Sequence, residues 1–364
     1  MPPFYLSATY LLGLAVWLLG LAAALVWSLN LRRQRKQLKR SLFIPHLCLS
    51  AWFVLGIMTL AEIWCAFGVD QSDAFNMTNI SKRWFQKYIE AQRNQAGWRD
   101  IREFPRTLPE GVKRICFFGD SFTIGHGVRR REDRFTDRLD AELNHAQPGK
   151  FQVANLGDPG LEVSQIEARA RGLLDQGYQI DIAVYVFMLN DIEGYDPRTQ
   201  EVIKSLQQAE PHFFLISKTY FPNWLYFRWR QASGRGGEYF PHLRDSYSEA
   251  PWDGMARKLD QLHQDFKSHN VDFRMVIFPF LHNLGPDYPF AEAHRKLKTY
   301  CQMAGIPVLD LEPVLAAHAT EKLTVNRFDA HPNERAHAIV AEALQKQLLH
   351  DLFEPPVAKP SSLK

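Results

Sequence analysis

The 364-residue chain predicts an α/β domain, with a parallel sheet covered by helices on both faces and a pair of membrane-spanning helices ahead of it. Three observations predict it. Two long apolar runs open the chain; short apolar runs of strand type follow from Val112 onward; and helical stretches separate several of those runs. The length leaves room for one large domain or two modest ones, with a sizeable core.

The first run, Leu6–Leu31, carries no charge and is long enough to span a bilayer as a helix. The second, Leu42–Phe67, is similar, with Glu62 as its one acid. Neither shows the polar stripe of a surface helix. A cleaved signal peptide carries positive charge ahead of its apolar stretch, and Met1–Ser7 has none. Residues 1–68 therefore read as a two-helix hairpin, with helices at about 6–31 and 42–67 and a loop at 32–41. The loop stretch Arg32–Arg40 (RRQRKQLKR) holds six basic residues and no acid, although the whole chain is only +3. So small a total argues against a nucleic-acid surface, and the local cluster has another use. The positive-inside rule places it in the cytoplasm and both chain ends on the far side. The expected protein is a two-span resident of the cell (inner) membrane with an extracytoplasmic, periplasmic domain. Trp27, Trp52 and Trp64 fit interface anchors. For Glu62 two readings stand: a side chain close enough to the segment end to reach the headgroups, or a contact with a membrane partner. Cys48, Cys65, Cys116 and Cys301 have neither metal-type spacing nor a disulfide framework, and read as buried free thiols.

Residues 69–112 turn polar and aromatic and read as a juxtamembrane connector; its two sequons, at Asn76 and Asn79, read as coincidence. A domain at 113–354 follows, then a flexible tail at 355–364. Strand-type runs occur at Ile115–Phe118, Phe151–Leu156, Ile182–Leu189, Phe273–Phe280 and Ile306–Leu311. Without polar alternation they read as buried on both faces. Helical stretches lie at Ser164–Gln176, Trp252–His269, Tyr288–Ala304 and Asn333–Phe353; in the last, Ala336, Ile339, Val340, Ala343, Leu344 and Leu348 keep helical spacing. At about 192–250 the rhythm breaks into the aromatic PHFFLISKTYFPNWLYFRWRQASGRGG. A lid, an amphipathic segment on the membrane and an insertion with its own small apolar contacts all remain open.

Open parallel sheets place their sites at the carboxyl ends of strands, and four candidates stand there. Ser121 follows the first strand, in RICFFGDSFTIGHGV, at a helix start where N–H groups favour negative charge. NLGDPGLEVS follows the second, with Gly157 and Gly160 permitting close backbone approach. FMLNDI follows the third and presents the Asn190 carboxamide, a neutral donor suited to an oxyanion hole. FDAHPNERAH lies in the loop before the final helix, with His331 as candidate base and Asp329 two residues before it. The first block lacks the Gly-x-Ser-x-Gly elbow, and the chain lacks both a phosphate loop and a dinucleotide fingerprint at this point. His331 and His337 lack metal-ligand spacing and a third partner. No metal site and no cofactor are expected.

Together, in this order, the four blocks resemble the SGNH (GDSL-type) esterase and acyltransferase superfamily, over Lys113 to about Phe353. The resemblance implies a three-layer, flavodoxin-like sheet. It implies Ser121 as nucleophile, His331 as general base and Asp329 as its orienting acid. The Ser121 amide, the Gly160 amide and the Asn190 side chain become the oxyanion hole, with Asp120 and Asp191 in support. Two positions depart from the pattern: Met188 stands where the third block usually has glycine, and Phe122 follows the serine where the older signature has leucine. Glu62, Trp84-Phe85, GWRD and FFGDSFTIGHGV together are also similar to membrane-anchored bacterial SGNH proteins.

The expected activity is a membrane-tethered serine esterase or deacylase acting through an acyl-enzyme on an acylated small molecule, glycan or lipid. An O-acyltransferase that passes an acetyl group to an envelope glycan, supplied by a membrane acyl-carrier partner, uses the same intermediate. A non-catalytic binding module is the third reading. No nucleic-acid partner is expected.

Overall fold

The apolar run after Val112 forms the first strand of a five-stranded sheet in the computed structural model, which describes residues 6–207, 210–232 and 239–353. β1 (Lys113–Gly119), β2 (Phe151–Asn155), β3 (Ile182–Met188), β4 (Asp272–Phe278) and β5 (Val308–Asp310) run parallel in the order β2-β1-β3-β4-β5. This is the flavodoxin-like order. All of β3, and all but the first residue of β1 and β4, are buried; apart from Arg114 and Arg274 the side chains on both faces are apolar, and no regular alternation shows. Gly119 pairs with Val186 and Phe117 with Asn155, so β1, β2 and β3 end at one edge.

Two helix pairs cover the sheet: Val163–Asp175 packs with Glu249–Ser268, and Phe135–Ala146 packs with Glu334–Ala343. The helix Phe135–Ala146 has no counterpart in the sequence reading. The expected final helix, Asn333–Phe353, regularly coils only over Glu334–Ala343; a wide turn, Leu344–Leu348, and a tight one, His350–Leu352, complete it. Asp329 and His331 do not lie in a loop. They belong to β7 (Asp329–Pro332), which pairs antiparallel with β6 (Thr324–Asn326) in a separate two-stranded ribbon.

The chain divides into two compact units at places other than the expected boundaries. One holds the described residues up to Lys87 together with 210–232; the other holds Tyr88 onward without that segment. Residues 88–112 thus share a unit with the sheet. Within the region 192–250, the helices Pro197–Gln207 and Tyr239–Ser246 do so too, whereas 210–232 does not. The expected tail, 355–364, and the glycines at 234, 236 and 237 lie outside the described residues.

In the first unit, the helix Ala8–Gln37 is capped by Ser7, whose hydroxyl accepts from the Tyr10 N–H. A turn with Lys39 in the left-handed region joins it to Phe43–Ile63, which continues as a wide turn over Trp64–Gly68. Both segments are long and apolar enough to cross a membrane, and only 6% and 11% of their most apolar windows are buried. A soluble core helix of such composition hides its apolar face; these faces are open. Trp52 Nε1 donates to the Leu21 carbonyl at 2.8 Å and Trp17 Nε1 to Thr59 Oγ1 at 2.9 Å. The Trp52 ring nitrogen therefore joins the two helices, whereas Trp27 and Trp64 are exposed.

Candidate active site

β1 ends in Gly119, and Asp120 caps a single helical turn, Ser121–Ile124: its Oδ1 accepts from the Phe122 N–H at 2.9 Å. The serine is thereby held half-buried at the sheet edge. Gly125 closes the turn at φ +78°, a left-handed conformation that glycine adopts without strain.

The ribbon brings the other end of the chain to this point. His331 Nε2 lies 2.8 Å from Ser121 Oγ, and His331 Nδ1 lies 2.6 Å from Asp329 Oδ1. Asp329 Oδ1 also accepts the His331 backbone N–H at 3.1 Å. A two-residue spacing suffices because the carboxylate curls back over its own strand. All three side chains proposed from sequence converge, 210 positions apart for Ser121 and His331. Asp329 and His331 are buried, which strengthens their interaction. Phe122 packs its ring 5.0 Å from that of His331 and 5.1 Å from that of Phe278, excluding water from one side of the imidazole.

The oxyanion candidates leave from the same sheet edge. Gly160 sits at φ +76° in the exposed turn after β2, with open space where a side chain would stand. Gly157 has a different task from the one expected of it. A Cβ there would lie 2.6 Å from the Ile124 nitrogen, so this glycine packs against the turn that carries Ser121. Buried Asn155 joins them, donating to the Thr123 carbonyl at 2.6 Å and accepting from the Gly157 N–H at 3.1 Å. Asn190 stands in the tight turn Leu189–Tyr195 directly after β3, and its Oδ1 has no hydrogen-bond partner. Tyr247 secures this turn by donating to the Leu189 carbonyl at 2.7 Å.

Two buried acids, Asp120 and Asp191, and one partly buried acid, Glu193, lie in the same turns. Burial pushes the Asp120 carboxyl above its usual range, against the pull of the Phe122 N–H. Burial and then the charge of Asp120 push Asp191 well above it; the Tyr185 hydroxyl donates to Asp191 Oδ2 at 2.6 Å. Burial raises Glu193 to about 7, and the Tyr239 hydroxyl donates to it. Crowded carboxyls out of water favour their neutral forms.

Two functional candidates carry no motif. His126 puts Nε2 3.6 Å from Asp329 Oδ2, and its ring lies 4.4 Å from that of His331. Buried Arg99 donates to the carbonyls of Ile124 (3.1 Å), Gly125 (2.8 Å), Val128 (2.7 Å) and Arg129 (3.2 Å), clamping the loop that bears His126. The lone signal for His126 was its place between two glycines in TIGHGV. Among the described residues, His126, Asp329 and His331 form the one cluster with metal-ligand donors within 4.8 Å of one another. Both His331 nitrogens already face Ser121 and Asp329, so a cation there would compete with the hydrogen-bonded chain. His337 is no ligand candidate: its Nδ1 accepts the Phe135 N–H at 3.2 Å, which leaves the ring proton on Nε2 and no lone pair for a metal.

The model of the GDSL-like lipase/acylhydrolase family matches residues 117–339, more than half of the chain. No curated protein matches. Solved structures similar to this chain include a lipolytic G-D-S-L family protein from Veillonella parvula, with 17% identity, 65% of this chain and 97% of that one covered, and a TM-score of 0.40. A catalytic mutant of an acetylxylan esterase from Geobacillus stearothermophilus has 15% identity, coverage of 66% and 96%, and a TM-score of 0.43. A psychrotrophic esterase from a Pseudoalteromonas species has 14% identity, coverage of 66% and 100%, and a TM-score of 0.40. The family match spans the sheet from β1 through the ribbon that bears His331, and the chain belongs to the GDSL-like lipase/acylhydrolase family of ester-bond hydrolases.

Proposed function

We propose that Ser121, His331 and Asp329 carry out ester hydrolysis through an acyl-enzyme, in a protein held at the membrane by its N-terminal hairpin. The observation that carries the reading is the unbroken chain Ser121 Oγ–His331–Asp329, with spacings of 2.8 Å and 2.6 Å. Ser121 Oγ attacks the ester carbonyl carbon while His331 Nε2 takes its proton. Nδ1–H stays on the ring, donating to Asp329, which steadies the imidazolium by its charge. The Ser121 and Gly160 amides and the Asn190 carboxamide receive the oxyanion. Collapse expels the alcohol, protonated by His331; a water then loses its proton to the same nitrogen as it attacks the acyl-enzyme, and His331 returns that proton to Ser121 Oγ as the acyl–Oγ bond breaks and the acid leaves.

The hairpin's two open apolar helices and its basic loop support the tether, with the hydrolase domain on the face opposite the Arg32–Arg40 stretch. Acylated glycans and lipids at a membrane surface are substrates such a tether would favour. The test is covalent labelling with a fluorophosphonate, followed by hydrolysis of p-nitrophenyl esters of increasing chain length. Labelled wild type and unlabelled Ser121→Ala support the mechanism. Equal labelling of both would overturn it, and acyl transfer to an added glycan without release of free acid would replace hydrolysis by transfer.

A further inference from the structure

Glu62 is an acid in an otherwise apolar span, and its carboxylate is fully engaged. Oε1 accepts from the Tyr10 hydroxyl at 2.7 Å and from the Tyr220 N–H at 2.8 Å; Oε2 accepts from the Tyr220 N–H at 2.9 Å and from the Phe221 N–H at 2.7 Å. Those N–H groups begin the helix Phe221–Ala232, whose first turn has donors without helical partners and a positive dipole end. The acid is therefore the cap of a helix 158 positions away. Other bonds fasten the same segment. The Asn79 carboxamide donates to the carbonyls of Ser217 (3.0 Å) and Thr219 (2.7 Å), while its N–H donates to Asn223 Oδ1 at 2.8 Å. The rings of Tyr10 and Tyr220 meet edge to face at 5.3 Å.

What this fastening leaves uncovered is apolar. Phe213, Phe214, Leu215, Leu225 and Trp229 are 63%, 67%, 54%, 49% and 60% exposed. Leu225 and Trp229, four apart on one helix, share a face. From residue 211 to 232 the charges are Lys218, Arg228 and Arg230, with no acid. Aromatic side chains with bases and no acids are the composition of a helix that lies in the plane of an anionic lipid surface. The depth agrees. Glu62 stands six residues before the span ends at Gly68, about 9 Å along a helix axis, and interfacial helices sink about 5–10 Å into the headgroup–acyl boundary.

We propose that residues 213–232 form an interfacial membrane element, held at headgroup depth by Glu62, with Phe213, Phe214, Leu215, Leu225 and Trp229 in contact with the lipid. This rests on the reading of the N-terminal hairpin as membrane-spanning. The occupant of the apolar face is an anionic bilayer, and the lid role is the competing outcome.

The test uses the full chain reconstituted in vesicles of phosphatidylcholine and phosphatidylglycerol. Leu215→Cys, Trp229→Cys and, on the first helix, Leu19→Cys are each labelled with the same environment-sensitive fluorophore, with the unsubstituted chain as blank for the native thiols. Lipids with a spin label near the headgroup should quench positions 215 and 229 several-fold more than aqueous iodide does. Lipid quenching at position 19 with iodide quenching at 215 and 229 would overturn the proposal and leave the tether standing. Iodide quenching at all three positions would remove the tether, and this proposal with it.

Discussion

His126 and Asp329 meet beside the His331 imidazole, with Nε2 of the one 3.6 Å from Oδ2 of the other. The carboxylate that orients His331 through Oδ1 is thus faced on its second oxygen by another histidine, and the two rings lie against each other. His126→Ala should leave KM within about twofold and lower kcat roughly tenfold, about 1.4 kcal/mol of lost positioning. Steady-state kinetics on a soluble ester checks this. An unchanged kcat would show that Asp329 needs no second contact.

Of the proposed oxyanion donors, Asn190 is the one most easily removed without touching Ser121, His331 or Asp329. Asn190→Ala should reduce kcat by roughly 10²–10³ with little change in KM, because the donor is used chiefly in the transition state. A loss confined to KM would place Asn190 in ground-state binding instead.

Arg99 satisfies four carbonyls at once in a buried position. Arg99→Lys should fail almost as badly as Arg99→Ala, since a compact ammonium cannot reach so many acceptors from one place. Each should lower the stability of this unit by about 2–3 kcal/mol, as buried acceptors lose their donors. Urea unfolding measures it. Full stability in the lysine variant would mean that charge alone, without the forked geometry, holds the loop.

Glu193 gives the fold a dependence on pH. Its carboxyl titrates at about 7 when folded, chiefly through burial, against an ordinary value of 4.5. Between these values the folded state binds more protons than the unfolded one, so this group's contribution falls as pH rises and is gone above about 7. Glu193→Gln should flatten the decline in melting temperature between pH 5 and pH 8, by about 5 °C. Parallel melting curves for variant and wild type across that range would refute it.

Much of this was legible in advance where the signal was regular. The five strands are built on apolar runs, and every one of them stands where its run predicted. That Ser121, Asp329 and His331 lie together was legible because their blocks resemble a family. Other features had no such periodicity. The ribbon strands β6 and β7 have three and four residues, too short to alternate. The helix Phe135–Ala146 buries only Phe135, Thr136, Leu139 and Leu143, a stripe too narrow to stand out in a charged stretch. His126 and Arg99 act through partners that only folding brings near. Glu62 stands out in an apolar span, but two of its three donors, the Tyr220 and Phe221 N–H groups, lie in a segment whose sequence leaves three roles open.

Glu62 also has a consequence for how the polypeptide is made. Synthesis runs from the amino end, so the carboxylate is delivered long before Tyr220 and Phe221 exist, with Tyr10 as its only companion among these donors. A copy that ends before Tyr220 therefore leaves this acid with one of its three donors. Only when the helix Phe221–Ala232 has been made is the acid's full set of donors present.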